Sequence, residues 1–229
     1  MRNLCPDDCP ICGGVGWVRL DRPLGDPMFG KLVLCPNVDQ IKAFENNIGI
    51  THEELNLNWN RIAEINGMGK IIKQIKTVLN NGFGWVFIWG GYGLGKTILL
   101  KTITAETIRF GKQVSYTRMV DIIDNLRNSY TTENGSYEAE TRLKYWVDVP
   151  VLCIDEFDRI RLTEYASERQ FVLMDKRYDS VLRENSITIM ASNTDPRLLD
   201  GYLADRIFDG RFKVIHIEGH SARPNMTSN

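Results

Sequence analysis

The chain has 229 residues, of which 43% are hydrophobic and 25% charged, and a net charge of −1. That length suits one core domain with a small appendage, and the composition is that of an ordinary soluble globular protein. The near-zero charge gives no overall footprint for nucleic acid, no run approaches the roughly 18 apolar residues of a membrane span, and residues 1–6 lack the apolar stretch of a signal peptide, so a cytoplasmic location with reduced thiols is expected.

In chain order the first feature is a cluster of cysteines. Of five, Cys5, Cys9, Cys12 and Cys35 fall near the N-terminus. Cys9 and Cys12 have C-x-x-C spacing and are followed by Gly13, Gly14 and Gly16. Two thiolates so spaced can share a Zn²⁺ ion, while the glycines let the backbone turn tightly around it. Cys35, after the apolar stretch 29–34, supplies a third thiolate; Asn37 stands where a second close pair would put a cysteine, which leaves Cys5 as the fourth ligand. A reduced cluster without metal is the alternative. A four-cysteine site would be closed and structural, supporting folding rather than catalysis. Residues 1–40 are therefore expected to form a zinc-binding module. Residues 41–66 carry Phe44, Ile48, Leu55, Leu57, Trp59 and Ile62 among polar neighbours and are expected to be a helical linker.

From 67 to 229 strands and helices alternate. The patterning predicts a helix over 70–79 stopped by Asn80, Asn81 and Gly82, a strand over 85–89, and a helix over 95–110 with Gly111 at its C-cap. A strand over 113–117 follows, then helices over 119–130 and 137–147 joined by an exposed polar loop over 129–136. The remaining elements are an apolar strand over 149–154, in which Cys153 is a small buried hydrophobe, a long helix over 164–184, and strands over 186–191 and 213–217. Apolar strands separated by helices predict an α/β fold, a parallel sheet sandwiched by helices with its ligand site at the carboxyl ends of the strands.

Gly90, Gly91, Tyr92, Gly93, Leu94, Gly95, Lys96 and Thr97 fit G-x-x-x-x-G-K-[ST] at every fixed position, between the strand at 85–89 and the apolar helical stripe that starts with Ile98. In that context loop N–H groups and the helix N-terminus wrap a β-phosphate, Lys96 reaches the β/γ-phosphates, and the Thr97 hydroxyl holds Mg²⁺. A glycine-rich turn before an ordinary helix is the plain alternative. The strand at 149–154 ends in Asp155 and Glu156. Phosphoryl transfer needs a carboxylate for the Mg²⁺ shell, which suits Asp155, and a group to orient or deprotonate water, which suits Glu156. Alone the two would read as a solvated acidic pair. Asn193, at the tip of the next strand, is placed to hydrogen-bond the attacking water or the γ-phosphate, or else to form an Asx turn into Asp195 and Pro196. The motif reads phosphates and does not fix the base.

Together the phosphate loop, Val151 to Glu156 and Ala191, Ser192, Asn193 resemble the Walker A, Walker B and sensor 1 motifs of the AAA+ superfamily. With Leu203, Ala204, Asp205, Arg206, Ile207 and the ending Gly219, His220, Ser221, Ala222, Arg223, the chain resembles the DnaC/IstB-type ATPases over about 67–223, in particular phage or prophage helicase loaders with an N-terminal zinc module. The resemblance implies an AAA+ P-loop core without a C-terminal lid domain, ATP and Mg²⁺ as cofactors beside Zn²⁺, and Arg206 as an arginine finger reaching a neighbouring subunit's nucleotide, with Arg211 as its rival. Such a guanidinium stabilises charge on the transferring phosphoryl group. Arg223 would approach the phosphates as a second sensor.

The expected function is ATP hydrolysis coupled to loading or remodelling a replicative DNA helicase. The zinc module would dock the helicase, single-stranded DNA would be bound, and subunits would self-associate through the ATP site. The alternatives are a transposition helper ATPase and a nucleotide-gated adaptor that hydrolyses little. Arg159 and Arg161 are candidates for a DNA phosphate, or members of a solvated charged loop.

Overall fold

The computed structural model describes residues 9–15, 17–19, 21, 23, 26, 29–30, 32–35, 48–64, 67–129, 135–161, 163–183 and 186–219. The chain divides into two compact units, Met1–His52 and Glu53–Asn229.

In the first unit, strands β1 (Trp17–Arg19) and β2 (Leu32–Leu34) pair antiparallel, with Val18 opposite Val33. The cysteine turn closes through Gly13 N, which donates to Cys9 O at 2.8 Å. Gly30 O accepts from Arg19 Nε at 3.0 Å and ties the second turn to β1.

The second unit opens with a 3-10 turn (Glu53–Asn56) and helix α1 (Trp59–Ala63), whose N-cap Asn58 accepts from Arg61 N at 3.1 Å. Helix α2 (Met68–Asn81) buries Met68, Ile71, Ile72, Ile75 and Val78, a stripe at helical spacing, and stops at Gly82 with φ 84°. Then come β3 (Gly84–Trp89), α3 (Lys96–Arg109), β4 (Val114–Arg118), α4 (Met119–Ser129), α5 (Gly135–Asp148), β5 (Val151–Asp155), α6 (Glu164–Leu182), β6 (Ile187–Ser192), α7 (Gly201–Ile207) and β7 (Lys213–His216).

Residues 53–63, within the segment expected as a helical linker, are largely helical and belong to the second unit. The 3-10 turn and α1 pack on α3, and α1 also packs on α2, with Trp59 and Ile62 buried. Burying those two side chains is worth about 1.5–3 kcal/mol each, which holds the segment against α2 and α3. Among the described residues, no helix is long and apolar enough to cross a membrane.

The five-stranded sheet has the order β4-β5-β6-β3-β7, with every pairing parallel. Parallel strands need crossovers, and the helices supplying them cover both faces. Trp85 and Phe87 of β3 join a core with Ile122 and Leu126 of α4, Trp146 of α5 and Leu173 and Met174 of α6. Val86 and Ile88 alternate to the opposite face and are equally buried. On α3 the buried Thr104 and Thr107 donate to the carbonyls of Leu100 and Ile103, so their hydroxyls are satisfied within the helix.

The stripe that α6 buries includes Arg177, fully removed from solvent. Its guanidinium donates to Thr188 Oγ1 at 3.0 Å, to the carbonyls of Trp146 and Val149 at 3.1 and 2.6 Å, and to those of Val147 and Ile187. Burial pushes its pKa down to about 9. The side chain fastens the carbonyl end of α5, where a cation is favoured, to the start of β6.

Candidate functional site

β3 delivers the phosphate loop at the carboxyl edge of the sheet. Ile217 N donates to Trp89 O at 2.8 Å, so the chain leaving β7 runs against the loop. Only glycine fits at Gly90, because an added Cβ would lie 2.3 Å from Ile217 O. Gly95, with φ 83°, turns the chain into α3 in a conformation L side chains rarely adopt. Lys96 then falls in the first turn of α3, 8% exposed, with Nζ 2.7 Å from both Gly90 O and Gly91 O. Burial lowers its pKa, while Asp155 and Asp158 oppose that shift.

A cavity of about 730 Å³ opens beside the loop. Tyr92, Gly93, Leu94, Gly95, Lys96, Thr97 and Ile98 line one side, and Asp155, Glu156 and Asn193 another. Gly90 and Gly91 lie beneath it as the backbone that Lys96 grips. The residues expected to bind nucleotide and act on it within one chain thus share one space, except for those considered below.

β5 brings Asp155 to the cavity floor, 4% exposed. Its Oδ1 accepts from Glu156 N at 2.8 Å and its Oδ2 from the Tyr116 hydroxyl at 2.9 Å. Burial, and then the adjoining Asp155 charge, raise the Tyr116 pKa well above its ordinary value. Glu156 has φ 48°, the one positive value at a non-glycine among the described residues. That turn lets Phe157 N reach Ala191 O at 2.9 Å, tying the end of β5 to β6. The Glu156 carboxylate faces Arg159, whose Nη1 is 3.2 Å from Oε1 and whose guanidinium carbon is 5.7 Å from the Tyr92 ring centroid. Arg159, one of the candidates for a DNA phosphate, therefore belongs to the cavity wall, while Arg161 is exposed outside it.

β6 presents Asn193. Its N–H donates to Asp158 Oδ1 at 3.1 Å, and Thr194 Oγ1 donates to Asp158 Oδ2 at 2.7 Å. The Asx turn at this corner is made by Asp195, which accepts from Arg197 N at 2.9 Å, leaving Asn193 on the cavity.

Arg206 and Arg211 do not line the cavity of their own chain. Arg206, on α7, lies 3.5 Å from the Tyr202 ring centroid with Nη2 2.9 Å from Asp175 Oδ1. Arg211 pairs with Asp209 and donates to the Tyr178 hydroxyl at 3.0 Å. Arg223 and Cys5 lie outside the described residues. Among those described after β7, no helical domain begins.

In the first unit the sulfurs of Cys9, Cys12 and Cys35 all lie within 4.8 Å of one another, with Cys9 Sγ 3.9 Å from Cys35 Sγ. Cys9 and Cys35 are buried. Three converging thiols are a soft donor set that suits Zn²⁺, whereas the carboxylate and hydroxyl oxygens of Asp155 and Thr97 are hard donors that suit Mg²⁺.

Sequence reasoning missed Tyr116, Asp158, Lys101 and Glu54. The last two also line the cavity and form an ion pair at 2.5 Å. The available signals were weak: Asp158 is an acidic residue just past a strand tip, and Tyr116 is a polar-tipped aromatic in an apolar strand.

A sequence model of the family described as IstB-like ATP binding protein matches residues 70–228. Among curated proteins, the chromosomal replication initiator protein DnaA of Campylobacter jejuni subsp. jejuni is 29% identical over 135 residues, covering 59% of this chain and 29% of that protein. The chain thus spans less than a third of the length of that relative. Among solved structures, AMPPCP-bound DnaA from Aquifex aeolicus is 25% identical with TM-score 0.56, covering 67% of this chain and 47% of that one. A DnaI structure is 20% identical with TM-score 0.57, covering 77% and 95%. The DnaC helicase loader is 19% identical with TM-score 0.50, covering 66% and 89%. The last two likenesses are of fold alone.

Proposed function

Because this chain belongs to the IstB-like ATP binding protein family and has an AAA+ P-loop core, we propose that it hydrolyses ATP to load or remodel a replicative DNA helicase, binding single-stranded DNA during replication initiation. One observation carries the enzymatic part: Lys96, Thr97, Asp155, Glu156 and Asn193 face a single cavity large enough for a nucleotide. Lys96 would bind the phosphates, Glu156 would take the proton of the attacking water, and Asn193 would orient that water or the γ-phosphate. Thr97 and Asp155 would hold Mg²⁺, which when bound neutralises charge on the phosphates. Arg206, packed on Tyr202 and paired with Asp175 away from its own chain's cavity, would serve a neighbour's site, with Arg211 as rival and Arg223 as second sensor.

The replication role is supported by the shared fold with a helicase loader and by the likeness to a replication initiator. The thiols of Cys9, Cys12 and Cys35, with Cys5 as fourth ligand, would hold Zn²⁺ in the N-terminal module that docks the helicase. A nucleotide-gated adaptor with slow hydrolysis is a second reading, favoured by the contact between Arg159 and Glu156. In the purified chain, Lys96→Ala should abolish nucleotide-dependent turnover, and Glu156→Gln should lower it about 10²–10⁴-fold with binding retained. Wild-type turnover by either variant at saturating nucleotide would refute these roles. Pull-down against a hexameric helicase and against a transposase separates the loader from a transposition helper; capture of the transposase alone would sink the loader.

A further inference from the structure

The side chains behind Asp155 form a chain that the phosphate-loop motifs do not include. A carboxylate at the end of a strand turns broadly about its last torsion unless both oxygens are held. Here Oδ1 is held by the next residue's own N–H, and Oδ2 by a hydroxyl from a different strand, Tyr116 of β4. The pairing of β4 with β5 sets Tyr116 opposite Cys153 and Arg118 opposite Asp155, so the phenol reaches diagonally to the strand tip. Tyr116 is itself fixed. It is 8% exposed, and Lys101 Nζ of α3 sits 5.5 Å from its ring centroid. Lys101 in turn pairs with Glu54 of the 3-10 turn at 2.5 Å. The carbonyl of the neighbouring Leu55 accepts from Arg109, so a second bond pins the same turn to α3.

We propose that Tyr116 is a positioning residue that aims the Asp155 carboxylate at Mg²⁺, and that the Lys101–Glu54 pair clamps the Tyr116 ring in place. The proposal rests on the reading of Asp155 as the magnesium carboxylate. The hydroxyl touches no phosphate in this scheme. It acts through Asp155, in the way that partners behind metal ligands fix their orientation. The 53–56 turn, at the start of the second unit, then becomes part of the nucleotide site's support rather than a tether. The long reach in sequence, from Glu54 to Lys101 to Tyr116 to Asp155, explains why no local motif records it.

The test uses the whole chain and a fluorescent ATP analogue, titrated once in EDTA and once with increasing Mg²⁺. Tyr116→Phe keeps the ring and removes one hydroxyl. It should leave the affinity in EDTA unchanged and raise the Mg²⁺ concentration for half-maximal tightening about 10–100-fold. Lys101→Gln, which releases the ring without altering it, should shift the same midpoint in the same direction by less. Asp155→Asn is the reference. If Asp155→Asn moves the midpoint and Tyr116→Phe does not, the positioning role is overturned while the magnesium reading stands. If Asp155→Asn leaves it unmoved, the reading of Asp155 fails and the proposal falls with it. Equal weakening by Tyr116→Phe in EDTA and in Mg²⁺ would reveal a merely structural tyrosine and also overturn it.

Discussion

In Glu53–Asn229 the interior is made by side chains from every layer, with Phe87, Leu99, Ile103, Ile154, Leu173 and Ile189 fully or almost fully buried. Among the described residues of Met1–His52, the buried side chains are Cys9, Cys35 and Ile50, and the cysteines cluster with partly buried Cys12 and Val18. A sheet covered on both faces buries enough apolar area to offset the entropy of ordering its chain. Paired strands as short as β1 and β2 do not, and need a staple. The contrast explains why cysteines concentrate in one unit while Cys153, buried in β5, acts as a hydrophobe whose thiol is pushed up to about 12 by burial. If the clustered thiols hold metal, the same residue type does opposite work in the two units.

Removing zinc is the largest test of this contrast. If the first unit is held by metal, a strong chelator should unfold it and leave the second intact, since structural zinc sites are worth on the order of 10 kcal/mol. Bound zinc per chain, followed together with hydrogen exchange of each unit, measures this. Cys35→Ser should lose the metal and show the same pattern. Protection in 9–35 that survives full zinc removal would break the comparison.

Arg177 tests the other side. Replacing it with Leu keeps an apolar volume but takes the side-chain donor from the carbonyls of Trp146, Val149 and Ile187. A buried group left unsatisfied costs about 1–3 kcal/mol, so the second unit should lose at least about 3 kcal/mol in denaturant unfolding. Zinc content should not change. A smaller loss would mean that the core absorbs an unsatisfied cluster that a minimal unit, dependent on each thiol, could not.

Much of the second unit is legible along the chain. The loop 90–97, the apolar strand ending in Asp155 and Glu156, and the strand ending at Asn193 each carry their signal within a few consecutive residues, and the sheet brings the three tips to one cavity. What could not be read depends on register between elements. Tyr116 meets Asp155 because β4 lies beside β5 at the sheet edge, although β4 follows β3 in sequence and lies three places from it in the sheet. Arg177 follows Ala166, Gln170, Leu173 and Met174 on the buried stripe of α6, yet a cation there argues against burial until the carbonyls of α5 and β6 are known to converge on it. The apolar residues of 53–63 read as those of short helices, but only the faces of α2 and α3 that receive Trp59 and Ile62 show where they pack. In the first unit, the C-x-x-C spacing and Cys35 are enough to anticipate the cluster of three thiols, and among the described residues there only the Ile50 side chain is buried besides those of Cys9 and Cys35.

The smallest effect lies at the surface of the second unit, around α7. The Tyr202 hydroxyl, and then Arg206, hold the Asp175 carboxyl below its ordinary range, and Arg211 does the same more strongly for Asp209. A carboxyl with a lowered folded-state pKa contributes stability that is fully present above its unfolded value, near 4, and is lost as pH falls through the folded value. The stability of the second unit should therefore fall with acid below about pH 4 and stay flat through this pair above it. Asp175→Asn should reduce that acid slope while changing neutral stability by less than about 1 kcal/mol, because the pair is partly exposed and screened. If the first unit holds zinc, acid would act there by releasing the metal instead. Following zinc release and core unfolding in one acid titration should give two separate transitions, only the second of which responds to Asp175→Asn. A single shared transition would mean that one unit does not stand without the other.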